Sequence, residues 1–263
     1  MRRKLRLLLY STTLLLLSGH GVTAQTSLVK AANPTEPSFV PVFSVAVQMG
    51  TDIGGAAPVP LRAVGGAFNP YPKLNAAFGA RLLLDLHPRW CLGVNINYKT
   101  VAMDADARVT NQKFKGENTV QYFTGTSEMS MSFSFLELPL YVDFFLGSKK
   151  QHALQAGFFG AYAFNPKFVT TAIKGFNGVE PDRVDARVTD SPPMDFSAVL
   201  KHWDTGLLFG YETKITSRVR AGLHLMFGVM DIFKKGNDFF DYKMHQIRGS
   251  IVLSYDLIRI YQR

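Results

Sequence analysis

The chain has 263 residues, 29 Lys and Arg against 20 Asp and Glu, and one Cys. A single cysteine excludes a disulfide framework and a cysteine metal cluster, and the length suits one large all-β domain or two small ones. The formal charge of +9 overstates the basicity of the folded part: Arg2, Arg3, Lys4 and Arg6 open the chain, and residues 1–24 contain no acid.

That opening has the layout of a cleaved secretory signal. A positive start leads into an apolar run from Leu7 to Leu17, then small residues at Val22-Thr23-Ala24, with cleavage expected before Gln25. The run is short for a bilayer helix of ~20 residues. Loss of 1–24 takes +9 down by four to +5. Export argues against a nucleic-acid partner. No later apolar run is long enough for a transmembrane helix, but barrel strands escape hydropathy.

Residues 25–37 are polar, with Pro34 and Pro37, and read as a flexible periplasmic lead-in. From Phe39 to Gly50 the chain alternates, with Phe43, Val45, Val47 and Met49 opposed to Ser44, Ala46, Gln48 and Gly50. Successive strand side chains point to opposite faces, so such alternation predicts a strand. A Gly- and Pro-rich connection covers 51–73. The next strand sets Phe78, Leu82 and Leu84 against Arg81 and Asp85. His87-Pro88-Arg89 turns the chain, since Pro cannot donate to a ladder. A third strand, from Trp90 to Val101, opposes Leu92, Val94, Ile96 and Tyr98 to Cys91, Asn95, Asn97 and Lys99.

A polar connection, with room for strand extensions inside it, is expected over about 103–128. In the fourth strand, 129–146, the apolar phase changes: Met129, Met131, Phe133 and Phe135 give way to Leu136, Leu138, Leu140 and Val142, opposed to Glu137, Pro139, Tyr141 and Asp143. A one-residue slip of this kind predicts a β-bulge near Phe135, which Pro139 would tolerate, or else two separate strands. The fifth strand, 152–164, carries Leu154, Phe158, Tyr162 and Phe164 on one face. After a long connection, 201–215 separates almost completely by parity. Trp203, Leu207, Phe209 and Tyr211 oppose Asp204, Gly206, Glu212 and Lys214. The seventh strand opposes Leu223 and Leu225 to Arg220 and His224; the last opposes Ile251 and Leu253 to Arg248 and Asp256.

Eight strands, joined by alternately long and short connections, predict an all-β fold: an antiparallel up-and-down transmembrane β-barrel over 38–263, with short periplasmic turns and long extracellular loops. A soluble barrel is the alternative, but the polar phase is rich in small residues, which suits a narrow interior. The expected lipid-facing set is Phe78, Leu82, Leu84, Val94, Ile96, Phe158, Trp203, Leu207, Phe209, Tyr211, Leu223, Leu225, Ile251 and Leu253. Eight strands leave a lumen that side chains fill. Its expected charge network is Arg81, Lys99, Lys214, Arg220 and Arg248 with Asp85, Glu137, Asp143, Asp204, Glu212 and Asp256, and His224 beside them. Five cations against six carboxylates suggest pairing and a closed lumen. Cys91 reads as an inward packing residue. Trp90, Tyr141, Phe144 and Tyr255, with Tyr162, Phe164 and Trp203 at the other rim, suit aromatic girdles, although Tyr141 has lumen parity.

His202, Asp204, Glu212 and His224 are capable of ligating a metal. Mutual satisfaction inside the lumen is the simpler expectation, and no H-E-x-x-H, G-x-S-x-G or phosphate-loop spacing occurs. No catalytic residue, metal or cofactor is therefore expected.

Two stretches are similar to a known family. Phe135-Leu136-Glu137-Leu138-Pro139-Leu140 resembles a strand of PorT-like outer-membrane β-barrels, common in Bacteroidota, and Asp204-Thr205-Gly206 with Gly210 and Glu212 resembles a later one. The resemblance spans about 39–257 and implies an eight-stranded, cofactor-free barrel. The chain departs from it in running past Tyr255 and Leu257 to Arg263. The expectation is a monomeric, non-enzymatic outer-membrane barrel in contact with lipid, acting through loops or rim on another envelope or secretion protein. A lipid-modifying enzyme and an accessory of type IX secretion are the alternatives.

Overall fold

The computed structural model describes residues 40–261 except 65, 116–118 and 148. The expected signal segment and lead-in lie outside the described residues. Eleven strands follow in order: β1 (Val42–Pro58), β2 (Phe68–Pro72), β3 (Asn75–His87), β4 (Trp90–Lys115), β5 (Val120–Leu146), β6 (His152–Gly178), β7 (Ala186–Thr189), β8 (Met194–Asp195), β9 (Trp203–Lys214), β10 (Val219–Gly228) and β11 (Met244–Tyr261).

Eight of them close a ring. The order β4-β3-β1-β11-β10-β9-β6-β5 returns to its start through β5–β4 pairing, and every pair is antiparallel. Closure leaves no unpaired ladder edge inside a bilayer, where water cannot satisfy one. The remaining three strands add outside the ring, β2 on β4 and β7 and β8 on β6. Among the described residues no helix is long and apolar enough to cross a membrane; the crossings are made by strands.

Along the ring, side chains alternate between a buried interior and an exposed apolar exterior. Phe78, Leu82, Ile96, Phe158, Trp203, Phe209, Tyr211, Leu223, Leu225, Ile251 and Leu253 are all exposed, and Leu84, Val94 and Leu207 are half-exposed on the same outer face. An exterior whose most exposed members include Leu225 at 69% and Trp203 at 65% is built for hydrocarbon, not water.

The change of phase near Phe135 is not a bulge in β5. Its odd residues stay buried from Met129 through Phe145 without a slip. What changes is chemistry on both faces. Leu136, Leu138, Leu140 and Val142 are exposed below the change and Ser134, Ser132, Ser130 and Glu128 occupy the outer face above it. Inside, Glu137, Tyr141 and Asp143 give way to Phe135, Phe133, Met131 and Met129. β4 does the same in register: Tyr98 pairs with Leu136, Lys99 with Phe135 and Thr100 with Ser134. Below that line the outside is apolar and the inside charged; above it the outside is polar and the inside dry. The line marks where the wall leaves hydrocarbon for water. The irregularity here lies in β6, where Ser132 pairs with Lys167 but Ser134 with Phe164, and Asn165 has φ 45°.

Strand extensions of the kind allowed inside the polar stretch 103–128 take up nearly all of it: β4 runs on to Lys115 and β5 starts at Val120. A bilayer needs strands of ~9–11 residues. β5 crosses with residues 136–146 and projects with 120–135, 16 residues or about 50 Å of strand at ~3.3 Å each. β4 and β6 project similarly, whereas β9 and β10, of 12 and 10 residues, end near the line. The projection is therefore a one-sided wall. Its concave face carries Met103, Val109, Phe123, Met129 and Phe168. Against it pack Phe196 and Leu200 from the β8–β9 segment and Ile232, Phe233 and Phe240 from the β10–β11 connection, in one buried cluster.

Candidate functional site

The lumen of the membrane-spanning part is lined by two ion clusters. The upper one joins β1, β4, β5 and β11. Lys99 Nζ lies 3.2 Å from Asp52 and 3.0 Å from Glu137; Arg248 reaches Asp52 at 3.3 Å and Glu137 at 2.7 Å. Two cations thus face two carboxylates in a closed square, all four side chains 3% exposed or less. The Arg248 guanidinium also lies 5.2 Å from the Phe135 ring and 5.4 Å from that of Phe159, so its faces meet aromatics while its edges meet oxygen.

The lower cluster joins β3, β5, β9, β10 and β11. Arg81 bonds Glu212 and lies 3.1 Å from Asp143; Arg220 donates to Glu212 at 3.1 Å and approaches Asp256 to 3.6 Å. Tyr141 belongs to this interior, donating to Asn95 Oδ1 at 2.9 Å, and is no girdle residue. Cys91 is fully buried near Leu83, Phe145 and Ala153.

Four members of the expected network sit differently. Asp85 is at the rim, 3.9 Å from Lys150. Lys214 also lies at the rim and makes no direct ion pair among the described residues, with Asp256 and Asp85 acting on it at longer range. Asp204 is buried but makes no ion pair among the described residues. Its carboxylate lies over Gly228, where a Cβ would come within 2.7 Å of Oδ2. His224 is held by space, not charge: Nε2 has no hydrogen-bond partner, and a Cβ on Gly210 would stand 2.8 Å from its ring. Asp52, absent from the expected network, is one of its four upper corners. Its parity matches Ser44, Ala46 and Gln48, so carrying the β1 alternation past Gly50 finds it.

Above the upper cluster the interior is apolar. Phe168, Phe196, Phe233 and Phe240 contact one another, with Phe233 and Phe240 stacked at 4.3 Å. The Tyr242 hydroxyl sits at the edge of this cluster, and burial raises its pKa above the ordinary phenol value. His202 is exposed at the line, its Nδ1 2.9 Å from the Ala163 carbonyl and its ring over Tyr162. It is not brought to Asp204, Glu212 and His224 as a ligand set, and no metal-capable cluster exists among the described residues. Tyr162 meets Phe164 and Trp203 edge-on at 5.2 and 4.9 Å, and Trp90 meets Phe144 at 4.7 Å, aromatic groups at the two ends of the crossing.

A hollow of about 510 Å³ opens on the lipid side between Ile53, Phe209, Leu223, Leu225 and Ile251. It exists because the outward position between Ile247 and Ile251 is Gly249, which leaves the wall thin there.

A closed antiparallel ring with an apolar outer belt and a filled polar interior defines an integral membrane β-barrel. Residues 38–234 match the family described as outer membrane protein beta-barrel domain, most of the chain, and the chain belongs to that family. Its place is the bacterial outer membrane. No curated protein matches the chain. Among solved structures, Neisserial surface protein A (NspA) shares 10% identity, with 82% of this chain and 99% of that one covered, at TM-score 0.35. The outer membrane protein OprG from Pseudomonas aeruginosa shares 9% over 83% and 95%, at 0.31. The translocator domain of autotransporter NalP from Neisseria meningitidis shares 8% over 85% and 90%, at 0.21.

Proposed function

We propose that this chain is a non-enzymatic outer-membrane barrel with a closed lumen, acting through its projecting wall and loops on another envelope protein. The observation that carries the closed lumen is the stack of two ion clusters beneath an aromatic core. An aqueous pore needs hydrated walls, whereas these charges neutralise one another across the bore. The reading as PorT-like, and export by a cleaved signal at 1–24, belong to the same proposal and rest on the sequence motifs alone.

The projecting wall supports the partner role. Its convex face is polar and its concave face is covered by the chain's own loops, so a rigid surface stands above the membrane without exposing a core. Reconstitution into planar bilayers should give no steady single-channel conductance; a stable open level would overturn the closed lumen. Crosslinking in cells from Ser130, Ser132 or Arg108 should capture one reproducible envelope protein, and capture of lipid alone would overturn the partner role.

A further inference from the structure

The lower mouth of the barrel, at the short-turn end, holds a second feature. A cavity of about 120 Å³ opens there, with Lys150, Lys214, Arg220 and Arg259 in its lining and Asp85 as its one lining acid. Short turns mark the periplasmic end of such barrels, so the cavity faces periplasmic water.

The charges around it do not cancel. Arg220 and Arg259 both bond Asp256, and Lys150 stands 3.9 Å from Asp85. Arg220 also shares Glu212 with Arg81, which holds Asp143. The whole lower group is Arg81, Lys150, Lys214, Arg220 and Arg259 against Asp85, Asp143, Glu212 and Asp256. One positive charge is in excess, and among the described residues Lys214 makes no direct ion pair, Asp256 and Asp85 acting on it only at longer range. Arg220 Nε is buried with no hydrogen-bond partner, so a guanidinium donor remains unused as well. A partly enclosed cation among other cations is unfavourable unless an anion joins it.

We propose that this periplasmic mouth binds a small phosphate-type oxyanion, held by Lys214 with the guanidinium donors of Arg220 and Arg259 that Glu212 and Asp256 leave free. Guanidinium forks match the oxygens of phosphate, and lysine adds a movable point charge. The volume is about four times the ~30 Å³ share of a water molecule. It admits one tetrahedral group. The same chemistry is offered by inorganic phosphate and by the phosphodiester of a lipid headgroup.

The test uses the full barrel in detergent, titrated calorimetrically with inorganic phosphate against chloride at equal ionic strength. One saturable phosphate site is expected, weakened at least tenfold in Lys214→Gln and unchanged in Lys149→Gln, a lysine on the neighbouring turn. Retained heat-modifiable migration on gels shows that Lys214→Gln still folds. Native mass spectrometry from phosphatidylglycerol or phosphatidylcholine vesicles separates the sources. A retained phosphatidylglycerol that phosphate displaces assigns the headgroup; phosphate binding without retained lipid assigns the free ion. No saturable binding of either, or equal binding by Lys214→Gln, overturns the site.

Discussion

Replacing Arg248 by Met tests the upper cluster most directly. The side chain is fully buried, with Asp52 at 3.3 Å and Glu137 at 2.7 Å. Methionine keeps much of the apolar stem between Phe135 and Phe159, so the loss reports the charge more than a cavity. The variant leaves two carboxylates sharing Lys99 alone. Removing one partner of a buried ion pair costs about 3–5 kcal/mol, because the other charge stays behind. Pairing Arg248→Met with Glu137→Gln leaves Lys99 facing Asp52, one against one, and should lose less than the two single losses added together. Reversible urea unfolding from phospholipid vesicles, followed by fluorescence of the outward-facing Trp90 and Trp203, measures all three variants. A single loss below about 1 kcal/mol, or strict additivity in the double variant, would refute the reading of a closed, mutually dependent square.

Other outcomes follow from the same geometry. If the line through Tyr98–Leu136 is the membrane boundary, Leu140→Arg should cost about 2–4 kcal/mol by the same unfolding assay. Ser132→Arg, on the same face above the line, should cost almost nothing; equal costs would remove the boundary. Gly249→Leu should fold normally, since the nearest atoms to a new Cβ are 3.9 Å away, whereas Gly50→Leu should not, since Ile251 O would lie 2.2 Å from its Cβ. Heat-modifiable migration on gels distinguishes the two, and folding of both would contradict the wall packing. In the loop beyond β6, the Val179 amide and the Arg183 guanidinium hold the Asp185 carboxyl below the ordinary carboxylate range. A depressed pKa means that the contact is complete above the ordinary value of ~3.9 and lost as pH falls through the lowered one. Asp185→Asn should therefore speed proteolytic nicking near 179–186 at neutral pH and not at strongly acid pH; an unchanged rate at neutral pH would show that the turn does not depend on this contact.

How much of this was legible in the residues depends on which solvent each segment meets. Within the bilayer, alternation alone separates Leu207, Phe209 and Tyr211 from Asp204 and Glu212, because hydrocarbon outside and charge inside differ so sharply. Above the bilayer the same strands reverse the code, and Ser130, Ser132 and Ser134 face water while Met129, Met131 and Phe133 face a core. Read with one solvent in mind, that reversal imitates a bulge near Phe135 and makes the long extensions of β4 and β5 over 103–128 read mainly as a connection. Asp52 was hidden for a related reason, lying in a β1 extension whose Gly and Pro residues resemble a connection.

The sequence by itself determined the eight-strand ring and the alternation of its membrane-spanning strands, since a period of two and the cost of a bare charge in lipid act locally. Partnership was decided only by the closed ring. Lys99 and Glu137 lie on adjacent strands, but Arg248 reaches Glu137 across 111 residues and Arg81 reaches Glu212 across 131. Curvature and stagger, which no segment encodes alone, bring those groups together, leave Asp204 outside both ion clusters and set Lys214 at the mouth. The ring also decides where the wall ends, because three long strands can stand above the membrane only when loops from elsewhere cover their dry face.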